Sequence, residues 1–307
     1  MLLQLYSHSA CLQHDPGPGH AERPARLRAV LHALDHDRYR AIDHIEAPRA
    51  TREQLLRVHD ADYVERILTS APDTGTLQLD EDTLMSPGSA EAALRAAGAT
   101  VAAVDAVLSG ATRRAFCAVR PPGHHATSER AMGFCLFNNI AVAAAHALAA
   151  HGLKRVAIAD FDVHHGNGTQ AIFEREPRIL FVSSHQSPLY PGGGGEDECG
   201  VGNIVNGTLS PGAGSREFRE LWDGVLLPRL DAFKPQLVLV SAGFDAHRND
   251  PLADIRLGHQ DYAWITERLL VLAHRHAAGR LVSSLEGGYN LAALAASAGA
   301  HVDSLME

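Results

Sequence analysis

After residue 110 the chain alternates short apolar, β-branched runs with longer helical ones: Ala115–Val119, Asn139–Ala150, Val156–Asp160, Ile179–Ser183, Phe218–Phe233, Leu237–Ser241, Asp261–Ala277 and Leu281–Leu285. Strands separated by helices are normally parallel, because the chain must return to the same end of the sheet before it starts the next one. The pattern therefore predicts an α/β fold with a central, mostly parallel sheet flanked by helices on both faces. The earlier part reads as helical, most clearly Glu91–Leu108, which is alanine-rich, opens after Ser86-Pro87-Gly88-Ser89 and stops at Gly110. Its small side chains point to close packing on the chain's own sheet. In open parallel sheets ligands collect beyond the carboxyl ends of the strands. The polar or glycine-rich loops that follow several strands, at 121–133, 166–169, 187–200, 244–253 and 287–290, should therefore face one pocket.

With 307 residues, 46% of them apolar and 21% charged, the chain can bury a sizeable core and reads as one domain over 1–307. There are 36 Asp+Glu against 27 Lys+Arg, and the resulting net charge of -9 repels nucleic-acid phosphates and acidic membranes. Direct nucleic-acid and membrane partners are not expected on that ground. Cys11, Cys117, Cys135 and Cys199 are widely spaced and form no CxxC pair, and no leader or long apolar span accompanies them. A reducing, cytoplasmic setting fits this usage. Oligomeric state leaves no signal.

Chemistry concentrates in Asp160-Phe161-Asp162-Val163-His164-His165-Gly166-Asn167-Gly168. Side chains at i and i+2 of an extended segment point the same way, so Asp162 and His164 can converge on one ion while Val163 and His165 face elsewhere. Asp245, after the apolar run Leu237–Val240, is placed to be a third ligand. One imidazole and two carboxylates suit zinc, one ion per chain, and leave a position open for water; iron or cobalt also suit the set.

Arg120-Pro121-Pro122-Gly123-His124-His125 follows directly on a predicted strand, so its prolines should hold the two imidazoles on a stiff turn. Asp160 and Asn167 could each accept a hydrogen bond from one of them. Standing alone, a histidine pair is more often structural. Leu285-Glu286-Gly287-Gly288-Tyr289-Asn290 ends the last strand, and its glycines allow the backbone to approach a ligand while presenting the Tyr289 hydroxyl. By itself that segment is better read as a flexible turn with a packing tyrosine.

Together, RPPGHHA, GFCLFNN, DFDVHHGNGTQ, SAGFDAH and LEGGYN occur in the order and spacing of the histone deacetylase superfamily, and the chain resembles it over nearly its whole length, from Glu22-Arg23-Pro24 and Val58-His59-Asp60-Ala61-Asp62-Tyr63 onward. The resemblance implies a single-domain arginase/deacetylase-like fold and zinc-dependent hydrolysis of acetyl-lysine or a related acyl amide, open to hydroxamate inhibitors. It implies that Asp162, His164 and Asp245 bind zinc, that His125 is the general base and acid with His124 and Asp160 as companions, and that Tyr289 polarises the acyl carbonyl. Asn167 stands where class I members have aspartate, so the chain resembles class II. The acyl-lysine tunnel would be walled by Gly133, Phe134 and Tyr190. Leu252 stands where polyamine-selective relatives carry glutamate, which counts against acetylpolyamines without excluding them. Family members also bind potassium, here through Asp160, Asp162, His164, Ser183 and Ser184. Arg23 would line an exit path for acetate or else pair with a local carboxylate. Cys135 would be redox sensitive or plain apolar filler, and His59 would support the site or simply pack.

Two rivals are weighed against this. An arginase-type binuclear manganese site needs a further aspartate two residues after a metal-binding one, and here His247 follows Asp245. A non-catalytic acyl-lysine reader has no reason to keep Asp162, His164, Asp245, His125 and Tyr289 together.

Overall fold

The computed structural model describes residues 3–307. Ten strands form, β1 Leu3–Ser7, β2 Asp43–Glu46, β3 Leu77–Gln78, β4 Leu84–Met85, β5 Arg114–Cys117, β6 Val156–Asp160, β7 Ile179–Gln186, β8 Ile204–Leu209, β9 Leu237–Ala242 and β10 Leu281–Leu285. The α-helices are α1 Pro24–Ala33, α2 Arg52–Leu55, α3 Ala61–Thr69, α4 Ser89–Ser109, α5 Asn139–Ala149, α6 Asn167–Phe173, α7 Ser215–Leu221, α8 Leu227–Phe233, α9 His259–His276 and α10 Leu291–Met306. Eight strands make one sheet in the order β2-β1-β5-β10-β9-β6-β7-β8. Every pairing in it is parallel. β3 and β4 form a separate antiparallel hairpin.

The central strands β5, β6, β9 and β10 are buried along their whole length, which explains why they are mostly apolar. From β5 the chain crosses to β6 in one direction through α5, and from β9 to β10 in the other through α9. Right-handed crossovers of opposite direction put their helices on opposite faces. α4 and α5 pack on each other, and α1, α9 and α10 form a second group.

The N-terminal part departs from the expectation. It contributes β1 and β2 to the sheet edge as well as helices, and β8 adds a strand where none was read. The alanine-rich helix lies where it was placed: Ala92, Ala93, Ala96, Ala97, Ala99 and Ala103 of α4 are fully buried. Its Gly98 lets the 48–50 segment lie directly on the helix, since a Cβ there would stand 2.0 Å from the Pro48 carbonyl oxygen. By length and composition α4 is apolar enough to cross a membrane, contrary to the reading of no long apolar span. With 61% of its most apolar window buried, it serves here as a core helix.

Candidate metal centre and active site

Five loops at the carboxyl edge of the sheet, after β5, β6, β7, β9 and β10, carry the singled-out side chains. Beyond β6, Asp162 and His164 turn the same way, and Asp245 reaches them from the loop after β9. One ligand atom from each of the three lies within 4.8 Å of the others, and all three residues are buried. The carboxylates are pinned from behind by backbone N–H groups. Asp162 accepts from His164 N at 2.9 Å and Gly287 N at 2.8 Å, and Asp245 Oδ1 accepts from Val163 N at 2.9 Å.

Three observations fit this trio to a divalent cation. Asp245 Oδ2 is buried without a hydrogen-bond partner. It lies 3.3 Å from His164 Nδ1, but the single proton that nitrogen can carry has Asp162 Oδ1 nearer, at 3.1 Å. The cradle is also shaped by missing methyl groups, because a Cβ on Gly243 would stand 2.0 Å from Asp162 Oδ2 and one on Gly287 1.9 Å from Asp245 Oδ2. Finally, burial opposes a charge on His164, yet Asp162 and Asp245 push its pKa up to about 10. Two buried carboxylates thus favour positive charge at the point where the three side chains meet.

Asp105, His146 and His151 form a second cluster with ligand-like spacing, on α4 and around the end of α5. Both Nε2 atoms lie on Asp105 Oδ1, at 2.7 and 2.6 Å, and Arg57 donates to His146 Nδ1 at 2.6 Å. An accepting Nδ1 means that the His146 proton sits on Nε2, where a metal would need the lone pair. This cluster is a charge-compensated clip between helices.

Around the first trio, His124 Nδ1 lies 2.9 Å from Asp160 Oδ2 and His125 Nδ1 lies 2.8 Å from Asn167 Oδ1. Asn167 Nδ2 points to Met132 Sδ, so its oxygen faces His125 and must accept. His125 therefore carries its proton on Nδ1 and keeps the Nε2 lone pair free. Burial, then the charges of His124 and His164, hold its pKa well below the ordinary value. For His124 burial works the same way, but Asp160 and Asp162 overcome it and push the group up to about 10.

His125, His164, Gly133, Phe134, Tyr190, Leu252 and Tyr289 line one cavity of about 230 Å³, together with Asp82 and Leu189. Gly133 is required there, since a Cβ would stand 2.3 Å from His125 Cδ2 and its φ is +56°. The Phe134 and Tyr289 rings meet edge to face at 5.8 Å, and His125 and Tyr190 do so at 5.3 Å. Burial raises the Tyr289 phenol well above its usual range, with Arg26 pulling it back, so the hydroxyl remains a donor.

Several residues lie elsewhere than the sequence suggested, or were missed by it. Arg23 is exposed at the start of α1, and it is Arg26 that is buried against the site. It donates to the Gly288 carbonyl at 2.6 Å and the Glu286 carbonyl at 2.5 Å, pairs with Glu22 at 2.9 Å, and stacks 4.8 Å from the Tyr289 ring centroid. Glu22 is gripped from its other side by Arg120. Asp82, on the β3–β4 turn, gave no sequence signal. Ser183 and Ser184 are buried, and their hydroxyls meet His185 Nδ1 and the Trp222 indole at 3.0 Å each. Cys135 is buried and its thiol is pushed well up by burial, which makes it filler. His59 bonds the Thr127 carbonyl and the Asn138 amide, and His165 bonds Gln170 and stacks on His185, so both turn away from the trio.

A buried trio that could hold a metal ion, a histidine pair and a phenol meet around one aromatic-walled cavity, an arrangement suited to amide hydrolysis. The family model for the histone deacetylase domain matches residues 20–305, and the chain belongs to that family. It is 43% identical over 303 residues to a histone deacetylase-like amidohydrolase of Pseudomonas aeruginosa, covering 91% of this chain and 80% of that one. It is 38% identical over 323 residues to a probable deacetylase of Archaeoglobus fulgidus, covering 100% of this chain and 89% of the other. A crystal structure of the HDA15 HD domain superposes with a TM-score of 0.94 at 38% identity, covering 99% of this chain and 88% of that chain.

Proposed function

We propose that this chain is a zinc-dependent hydrolase that removes acetyl or related acyl groups from lysine side chains. The observation that carries the reading is the convergence of Asp162, His164 and Asp245 beside a cavity lined by His125 and Tyr289. Two carboxylates and one imidazole suit zinc and leave its coordination open. A divalent ion held there supplies Lewis acidity, which makes a neighbouring water easier to deprotonate and an acyl carbonyl more electrophilic.

The chain's own groups do the rest. His125, neutral and with Nε2 free, takes the proton from water and returns it to the departing amine. His124, charged against Asp160, stands beside it. The Tyr289 hydroxyl donates to the acyl oxygen as that oxygen gains charge. Phe134 and Tyr190 sandwich the aliphatic stem of the substrate, and Tyr190 makes that rim more polar than a phenylalanine would. Hydrolysis of a fluorogenic acetyl-lysine amide, abolished by a hydroxamate, is the test; a metal-replete sample inert toward acetyl-lysine peptides, acetylpolyamines and longer acyl-lysines would refute it.

A second reading, deacetylation of acetylpolyamines, draws support from Asp82, which lines the same cavity as Leu252. A distal ammonium would then meet a carboxylate in place of the missing glutamate. Relative rates on acetyl-lysine peptides and acetylated polyamines separate the two.

A further inference from the structure

Glu286 is fully buried at the end of β10, between β5 and β9, and the catalytic scheme above makes no use of it. Its Oε2 accepts two backbone N–H groups from the turn that carries the histidine pair, Gly123 at 2.6 Å and His124 at 3.2 Å. Its Oε1 accepts the Ser241 hydroxyl on β9 at 3.1 Å. The Glu286 main chain is fixed as well. Its N–H donates to the Ala242 carbonyl at 3.0 Å and its carbonyl accepts from Arg26. The next residue, Gly287, donates to the metal-trio carboxylate of Asp162 and accepts from Phe244 N at 3.0 Å.

One residue thus joins the loop that presents His124 and His125 to the loops that present the metal ligands. From the other side the turn is held through the His124 carbonyl, which accepts from Thr169 N at 3.1 Å. We propose that Glu286 is a positioning residue: its side chain, by reach and hydrogen-bond acceptance, sets the distance of the histidine pair from the metal trio. The inference rests on the deacetylase reading for its kinetic consequence only, because the geometry it describes exists without turnover.

Two variants separate reach from charge. Glu286→Gln keeps the length and an oxygen that can accept from Gly123 and His124, while its amide N–H can be taken by Ser241 Oγ. Glu286→Asp keeps the charge and withdraws the acceptor by one methylene. Misplacing a catalytic group by about 1 Å costs about 100-fold, so E286D should lose about that factor in kcat with KM little changed. E286Q should recover at least about tenfold of that loss, since a neutral acceptor keeps much of the bond.

A second readout is independent of turnover. The proton between His124 Nδ1 and Asp160 Oδ2, 2.9 Å apart, should give a far-downfield NMR signal that persists in E286Q and shifts or broadens away in E286D. Circular dichroism and zinc content establish that both variants are folded and loaded. E286D with wild-type kcat and an unchanged signal overturns the proposal, as does E286Q slower than E286D, which would show that charge and not reach is what matters. Should wild type itself prove inert, the deacetylase reading falls, while the downfield signal in the two variants still decides for or against the positioning role.

Discussion

One added methyl group at Gly287 should empty the metal site while leaving the fold standing. The backbone there lies outside the left-handed region, so alanine meets no conformational penalty. Its Cβ, however, would stand 1.9 Å from Asp245 Oδ2 and 2.6 Å from Asp162 Oδ2. Non-bonded carbon and oxygen rarely approach within about 3 Å, so Asp245 must retreat by about 1 Å. Metal–ligand distances tolerate only about 0.2 Å, so the displacement is about five times what a site can absorb. Disturbing the groups that merely orient ligands costs about 10- to 100-fold in metal affinity, and moving the ligands themselves should cost more than about 100-fold. Competition of Gly287→Ala and wild type against a chromophoric chelator measures this directly, with far-UV circular dichroism as the check on folding. If G287A binds one zinc with wild-type affinity, Asp162 and Asp245 do not hold the ion between them.

Tyr289→Phe should keep its zinc and lose about two to three orders of magnitude in kcat, read in a steady-state acetyl-lysine assay; a near-normal rate removes the phenol from the mechanism. Arg26→Met fills the same space but leaves the Glu286 and Glu22 oxygens short of a partner, and should destabilise the fold by about 3–5 kcal/mol in a urea titration. Glu22 is buried, which alone would raise its pKa, but Arg120 and His14 hold it well below the ordinary carboxyl value of 4.5. A group depressed on folding adds stability that is complete above its unfolded pKa and lost as pH falls toward its folded one. The urea midpoint should therefore drop with acidity below about pH 4.5, and Glu22→Gln should flatten that part of the profile.

What the sequence disclosed follows from which interactions leave a residue-level trace. β6, β9 and β10 were legible because strands buried on both faces are mostly apolar, even with Ser283 and Ser284 inside β10. β1 is only five residues long and interrupted by Gln4, and β2, the edge strand, has Asp43 and Ile45 half-buried and His44 and Glu46 exposed, so both lack that run. β8 was hidden by Asn206 and Gly207, which read as loop. Asn206 Nδ2 donates there to Gln170 and to the Gly195 carbonyl, and Gly207 makes room for Leu221.

At the site, Asp162, His164 and Asp245 announce themselves through side chains that can do only a few things together. Glu286 acts through backbone N–H groups, and so does Asp250, whose Oδ2 accepts from Tyr289 N at 2.7 Å; such bonds have no sequence signature. Arg26 was missed for Arg23 because the two are three positions apart at the start of α1, and only the helix's orientation decides which one faces inward.

The central claim is that one zinc, held by Asp162, His164 and Asp245, is what makes the cavity hydrolytic. Zinc content and acetyl-lysine hydrolysis measured on the same preparations of wild type and Asp245→Ala test it most directly. The account predicts one zinc per wild-type chain, hydrolysis lost on chelation and regained with zinc, and an Asp245→Ala protein that is folded, without stoichiometric zinc and inactive. Full zinc in Asp245→Ala, or wild-type hydrolysis that survives complete removal of metal, would contradict it.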